Sequence, residues 1–353
     1  MKSKIYILLL LAVVFSCKSS KENNFNLTQN NFTAVKTDTL FQDKISIRAI
    51  LIDKNKVWYA ADKNRFGSYD LVSKVKSELV ITKDTLNMEF RSIAQTTDYI
   101  FMVNVGNPAV LFRFSKKTND QKIVYQETDP KVFYDSMQFW NNQEGIAIGD
   151  PTSNCMSVII TRDGGNSWKK LSCDNLTKIA DGEGAFAASN TNIIVKNNNT
   201  WIVSGGKKSR VFYSPDKGNS WQVFETPLVQ GEAMTGIFTA DFYDEKNGII
   251  AGGNYEKLNQ NFGNKAKTID GGKTWKLIAE NQGFGYASCI QYVPNSNGNN
   301  LVCVGALGIY FSNDKGENWE KLSNDKDLYT IRFINSKTAI AAGKNKIVKL
   351  SFK

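Results

Sequence analysis

The 353-residue chain contains no histidine, so Ser-His-Asp and Cys-His nucleophile activation and His-ligated zinc are excluded at the outset. The side chains that could still do chemistry recur at one slot in successive β-rich segments. Arg48 precedes Ala-Ile and Arg91 precedes Ser-Ile, while Asp135 and Glu183 take the corresponding place in the next two segments. Ala287 takes it in a later one, and Arg332 lies a few residues further along in the last. Tyr134, Tyr286 and Tyr329 sit beside these positions. Guanidinium groups grip carboxylates, carboxyl groups can pass protons, and tyrosine rings offer an apolar face with a polar tip. The set could form a charged, aromatic-edged binding mouth, or its charges could pair with one another as lining.

The elements that must position these residues are marked by a repeat. Four octapeptides share one pattern: Thr161-Arg-Asp163-Gly-Gly165-Asn-Ser-Trp168, Ser214-Pro-Asp216-Lys-Gly218-Asn-Ser-Trp221, Thr268-Ile-Asp270-Gly-Gly272-Lys-Thr-Trp275 and Ser312-Asn-Asp314-Lys-Gly316-Glu-Asn-Trp319. Their aspartates are 53, 54 and 44 residues apart, the spacing of a four-stranded repeat unit. Each follows a β-rich run such as Ser157-Val-Ile-Ile160, which places it on a hairpin turn. A short carboxylate can accept backbone N–H bonds within its own turn, glycine can take positive φ, and Trp locks the turn against the sheet. The four aspartates are therefore read as structural, with metal or ligand contact as the alternative.

These octapeptides resemble the Asp-box (BNR) repeat of β-propellers, in which the box lies on the turn between the third and fourth strands of a blade. Sialidases carry such boxes, as do the photosystem II assembly and stability factors and related bacterial lipoproteins. The resemblance covers Asp163 to Trp319 directly. A weaker pattern, an inner strand followed by a Gly- or Ala-rich strand, occurs seven times, with inner strands beginning near Ser46, Phe90, Tyr134, Glu183, Ile237, Tyr286 and Tyr329. Residues 32–353 then divide into repeats of about 46 residues. The expected fold is all-β: a seven-bladed propeller of four-stranded antiparallel blades, closed by an N-terminal strand within 32–40. Six and eight blades are the alternatives, because the first two repeats and the last lack an intact box.

Four cysteines lie in this region. Folding the first box about Gly164 sets Cys155 opposite Cys173, and folding the loop about Ser296 sets Cys289 opposite Cys303. Directly opposed antiparallel residues are close enough for a disulfide, so two bridges are expected, with small buried thiols as the alternative. No pair of cysteines has close metal-ligand spacing, so no metal is expected.

The N-terminus reads as an export signal. Lys2 and Lys4 precede an eleven-residue apolar run, Ile5 to Phe15, then Ser16 and Cys17. The run is too short to span a membrane. Val14-Phe15-Ser16-Cys17 resembles a bacterial lipobox, which implies a signal peptide over 1–16, lipid on Cys17 and a polar tether over 17–31, leaving 32–353 as the propeller. A secreted, non-lipidated protein is the alternative. The expected address is the periplasm or the cell surface, with membrane contact through lipid only.

With 44 Lys+Arg against 34 Asp+Glu the formal net charge is +10, but no run of five like charges occurs, so nucleic acid is not an expected partner. Resemblance to sialidases implies a hydrolase in which Arg48, Arg91 and Arg332 clamp a carboxylate while Asp135 and Glu183 act as acids. The Arg-Ile-Pro motif of that family is absent, and the nearest equivalent is Arg48-Ala-Ile. Related lipoproteins are often labelled oxidoreductases. This chain has no Gly-rich dinucleotide turn, Cys-x-x-Cys or haem motif, so no cofactor is expected. The favoured reading is a non-catalytic propeller holding a protein or glycan at one mouth of its channel. The resemblance to assembly factors implies protein clientele.

Overall fold

The computed structural model describes residues 31–353. The expected signal peptide, Cys17 and all but the last residue of the tether lie outside the described residues. No helix among those described is long and apolar enough to cross a membrane.

The chain is a β-propeller in which every strand pairing is antiparallel. Its second and third strands read as unbroken apolar runs, such as Gly145–Gly149 and Ser157–Thr161, because each is covered by a neighbouring sheet on both faces. Outer strands such as Lys76–Val80 and Gln121–Glu127 are largely exposed and carry the charge. The inner strands Val35–Asp53, Phe90–Gln95, Tyr134–Phe139, Ile193–Lys196, Thr235–Phe242, Cys289–Tyr292 and Leu328–Asn335 each pack beside the next around one axis. Separate apolar cores fill the wedges between sheets. Phe101, Phe139, Met137 and Trp168 form the one between the 90–127 and 134–170 sheets.

The sheet count corrects the expectation of seven separate blades. Counted as hydrogen-bonded sheets, the propeller has six blades, not seven: four with four strands and two with six. The reason lies in one long strand, Val35–Asp53. Val35 to Ser46 pairs with Lys344 to Phe352, and Ile47 to Asp53 pairs with Lys56 to Ala61. The first and last repeats are thus fused into one six-stranded sheet, which joins the two ends of the described chain and closes the ring. The second six-stranded sheet arises because Glu183–Gly184 and Gly205–Gly206 add to the edge of Thr235–Phe242.

The four acidic turns share one hydrogen-bond pattern. In the first, Asp163 Oδ1 accepts from Thr161 Oγ1 at 2.8 Å and the Ser167 N–H at 3.0 Å, while Oδ2 accepts from Ser167 Oγ at 2.6 Å. The Gly165 N–H donates to Thr161 Oγ1 at 2.9 Å. Asp216, Asp270 and Asp314 repeat the arrangement with Ser220, Thr274 and Asn318. Burial pushes each carboxyl up, and these donors outweigh it, holding all four below the usual carboxylate range. The second glycine is obligatory. Gly165 has φ +80°, and a Cβ there would lie 2.2 Å from the Phe101 ring of the preceding sheet. Each turn thereby seats on the sheet before it.

The cysteines behave differently from one another. Cys155 and Cys173 are joined, with Cα atoms 5.5 Å apart. They are not cross-strand partners, since the hairpin register sets Ile159 opposite Lys170 and Cys173 opens a short 3₁₀ turn beyond the strand. Cys289 and Cys303 are both buried free thiols, which corrects the second expected bridge. Cys289 opposes Val304, and Ile290 opposes Cys303. That one-residue offset puts the two sulfurs on opposite faces of the sheet, one in each flanking core.

Candidate functional site

Inner strands begin at the mouth, so the turns joining first to second and third to fourth strands, including the acidic turns, lie at the opposite end. The mouth is not an open channel. The segment 187–192, Ala-Ala-Ser-Asn-Thr-Asn, is wholly buried and threads the axis. Asn190 donates from Nδ2 to the Ile93 carbonyl at 2.8 Å, and its Oδ1 accepts the Met137 N–H at 3.0 Å. Ser189 Oγ donates to the Ser288 carbonyl at 2.7 Å, and Thr191 Oγ1 shares a 2.8 Å bond with Thr239 Oγ1. This plug belongs to a long excursion, 171–192, between the strands Lys169–Lys170 and Ile193–Lys196. The Cys155 link fastens the base of that excursion.

The plug decides what the candidate arginines do. Arg48 Nη1 donates to the Ala188 carbonyl at 3.2 Å. Arg332 Nη2 donates to the carbonyls of Ser189 at 3.1 Å and Asn190 at 3.3 Å, and its Nη1 to that of Ile331 at 2.7 Å. Both arginines therefore hold main chain. Arg91 instead pairs with Glu89 at 2.7 Å and lies 5.9 Å from the Phe133 ring centre.

The other candidates scatter. Glu183 does not begin an inner strand. That role falls to Ile193–Lys196, ten residues later, because the excursion carries Glu183 to the rim. There its buried carboxylate accepts from Arg210 Nε at 3.0 Å, from Arg210 Nη2, from Ser204 Oγ at 2.6 Å and from the Ala180 N–H at 2.8 Å. Tyr134 turns away from the axis into an inter-sheet core, where its hydroxyl donates to Glu127 at 2.8 Å. Asp135 stays at the mouth, fully buried, with neither carboxylate oxygen hydrogen-bonded among the described residues. Burial first, and then nearby Asp150, push its carboxyl well up, with Arg91 opposing. Burial raises Asp150 itself to about 6, although its Oδ1 accepts the Ala185 N–H at 2.8 Å.

Around these charges runs an aromatic shelf that the sequence reading largely missed. Phe186 and Phe238 stack with ring centres 3.9 Å apart, and Tyr286 meets Phe238 at 4.9 Å and Tyr255 at 5.0 Å edge-on. Arg48 lies 4.3 Å over the Tyr329 ring. Tyr255 is exposed. Beside the shelf opens a groove of about 450 Å³ lined by Lys131, Asp150, Ile179, Glu183, Phe186 and Ala233. Of the shelf, Phe238, Tyr286 and Tyr329 fall in the repeat pattern, and Phe186 falls in the segment beginning at Glu183 that only resembles an inner strand. Tyr255 lies in a loop outside the pattern. Phe238 and Tyr286 are themselves buried, so what the shelf presents to solvent is the Tyr255 ring and the partly buried Phe186, beside the groove that Asp150 lines. The arginine triad expected of a hydrolase is divided between plug carbonyls and Glu89.

No family model matches the chain, and no curated protein matches it. Solved structures do. The structure described as YCF48 bound to D1 peptide superposes with TM-score 0.65 at 13% identity, covering 92% of this chain and 98% of that one. YCF48 from Cyanidioschyzon merolae gives 0.63 at 13% identity, over 90% of this chain and 98% of its own. The RRP9 WD40 repeats give 0.63 at 11%, over 90% of this chain and 97% of theirs. At such identities the likeness is one of fold, that of a β-propeller.

Proposed function

We propose that this chain is a non-catalytic propeller that holds a polypeptide on the mouth carrying the plug, displayed outside the cytoplasm by lipid on Cys17. The carrying observation is the exposed Tyr255 ring, backed by buried Tyr286 and Phe238 and flanked by Phe186, at a mouth whose axis is plugged by 187–192. With the channel closed by 187–192, a ligand must lie across the mouth, and aromatic side chains give large contact area at low entropy cost. A propeller of this shape, YCF48, is described bound to a D1 peptide, which supports a polypeptide as the occupant. The shared turn chemistry of Asp163, Asp216, Asp270 and Asp314 supports placing the chain with the Asp-box propellers, and the lipobox-like Val14 to Cys17 supports the anchor.

The test is site-specific photocrosslinking in intact cells. A photoreactive residue at Tyr255 captures polypeptide, whereas one at Ile269, exposed on an acidic turn at the opposite end, does not. Equal capture from both positions, or adducts that contain glycan and no protein, would refute the reading.

A further inference from the structure

Each acidic turn fills the space beside the sheet that precedes it. Gly165 packs on Phe101, Gly218 on Ile160 and Gly272 on Trp201. At the last of these the Trp201 indole N–H donates to the Gly271 carbonyl at 2.8 Å. In two of the four the receiving residue is the third of the second strand, Phe101 in Tyr99–Asn104 and Trp201 in Asn199–Val203, and Trp58 holds that place in Lys56–Ala61 of the first repeat.

Trp58 receives no acidic turn among the described residues. The sheet that follows it joins Ala109–Ser115 to Gln121–Glu127 through five residues, 116–120, where the box-bearing hairpin Ser157–Thr161 to Lys169–Lys170 has seven. Where the turn would sit there is a cleft of about 760 Å³, lined among others by Trp58, Lys54, Lys56, Gln95, Lys116 and Asn142. Trp58 is 6% exposed, and its indole N–H has no partner among the described residues. A buried donor left unpaired costs about 1–3 kcal/mol, which an acceptor reaching it from the cleft would recover. The ring stacks on Phe66 at 5.5 Å and meets Phe114 at 5.8 Å. Lys56 Nζ hangs 5.7 Å over the ring, and Lys54 stands on the rim, while Lys116 is held by Asp53 at 2.8 Å.

We propose that this cleft, at the end of the ring opposite the mouth, binds an acidic tight turn of a partner polypeptide, with a main-chain carbonyl accepting from Trp58 Nε1 and carboxylates facing Lys54 and Lys56. The occupant is argued from this chain itself, since the equivalent spaces are filled by acidic, glycine-bearing turns and a turn carbonyl takes the Trp201 N–H. The inference stands apart from ligand capture at the mouth.

The probe is a backbone-cyclised peptide of the 312–319 sequence, Ser-Asn-Asp-Lys-Gly-Glu-Asn-Trp, titrated into indole-¹⁵N-labelled protein. The Trp58 signal, identified by its loss in Trp58→Phe, shifts saturably while the other indole signals stay in place, and Lys54→Ala with Lys56→Ala weakens binding about tenfold. A second variant replaces 116–120 with the seven residues 162–168, which fills the cleft in cis and abolishes the shift. No Trp58 shift at millimolar peptide, a shift that survives the graft, or saturation by a uronic-acid oligosaccharide but not by the peptide overturns the proposal.

Discussion

Removing one amide from the plug should loosen the whole ring. Asn190 is 4% exposed and has φ +57°, and its side chain joins two inner strands through the Ile93 carbonyl and the Met137 N–H. In Asn190→Ala both groups are left buried and unpaired, at about 1–3 kcal/mol each. Alanine in the left-handed region adds about 1 kcal/mol. The expected loss is therefore about 3–7 kcal/mol. With about 2.1 cal/mol/K of unfolding entropy per residue over about 320 residues, that is a fall in Tm of about 5–10 °C. Asn190→Gly loses the same bonds without the backbone penalty and falls short of the alanine loss by about 1 kcal/mol. Urea unfolding followed by tryptophan fluorescence measures the stabilities, and hydrogen exchange at the Met137 amide reports the local opening. An alanine variant within about 0.5 kcal/mol of wild type, or unchanged protection at Met137, would show that 187–192 does not tie the strands together.

Other outcomes follow from single contacts. Asp150 has its pKa raised in the fold, so its contribution to stability is present below pH 3.8 and is lost as pH rises through about 6. Asp150→Asn, which keeps the acceptor for the Ala185 N–H, should leave stability at pH 4 unchanged and raise it at pH 8 by at most about 3 kcal/mol, read from denaturant midpoints. The four turn aspartates have the opposite sign, so their contribution holds above pH 3.8 and fades as pH falls through their lowered values, and urea midpoints should drop steeply below about pH 4. Gly165→Ala, facing Phe101, should cost more than about 2 kcal/mol, and a neutral result in thermal unfolding would refute the seating of that turn. Cys155→Ser with Cys173→Ser removes a link of sequence separation 18 and should cost about 3 kcal/mol. In a non-reduced digest Cys289 and Cys303 should carry alkylating label only after unfolding.

How much was legible varied with the range of the interactions. The acidic turns were readable because each carries its own hydrogen-bond partners within five residues, from Thr161 to Gly165 or Asp163 to Ser167. The mouth was only partly readable. Asp135 and Tyr329 stand where the strand slots put them, but Tyr134 faces the other side of its strand and Glu183 rides on an excursion whose small polar residues imitate a strand start. Cys289 and Cys303 failed by one residue of register, which loop symmetry cannot resolve and which decides the face a side chain takes.

By itself the amino-acid sequence determined an all-β ring of hairpins pinned by acidic turns, because local patterning and turn chemistry specify such units wherever they are placed. Tertiary structure alone decided that the terminal repeats merge into one sheet, that Arg48 and Arg332 bond a plug instead of a ligand, and that Trp58 faces an unfilled cleft. Those outcomes depend on groups well over a hundred residues apart, such as Arg48 and Ala188, or on a turn that is missing, and neither leaves a periodic trace along the chain.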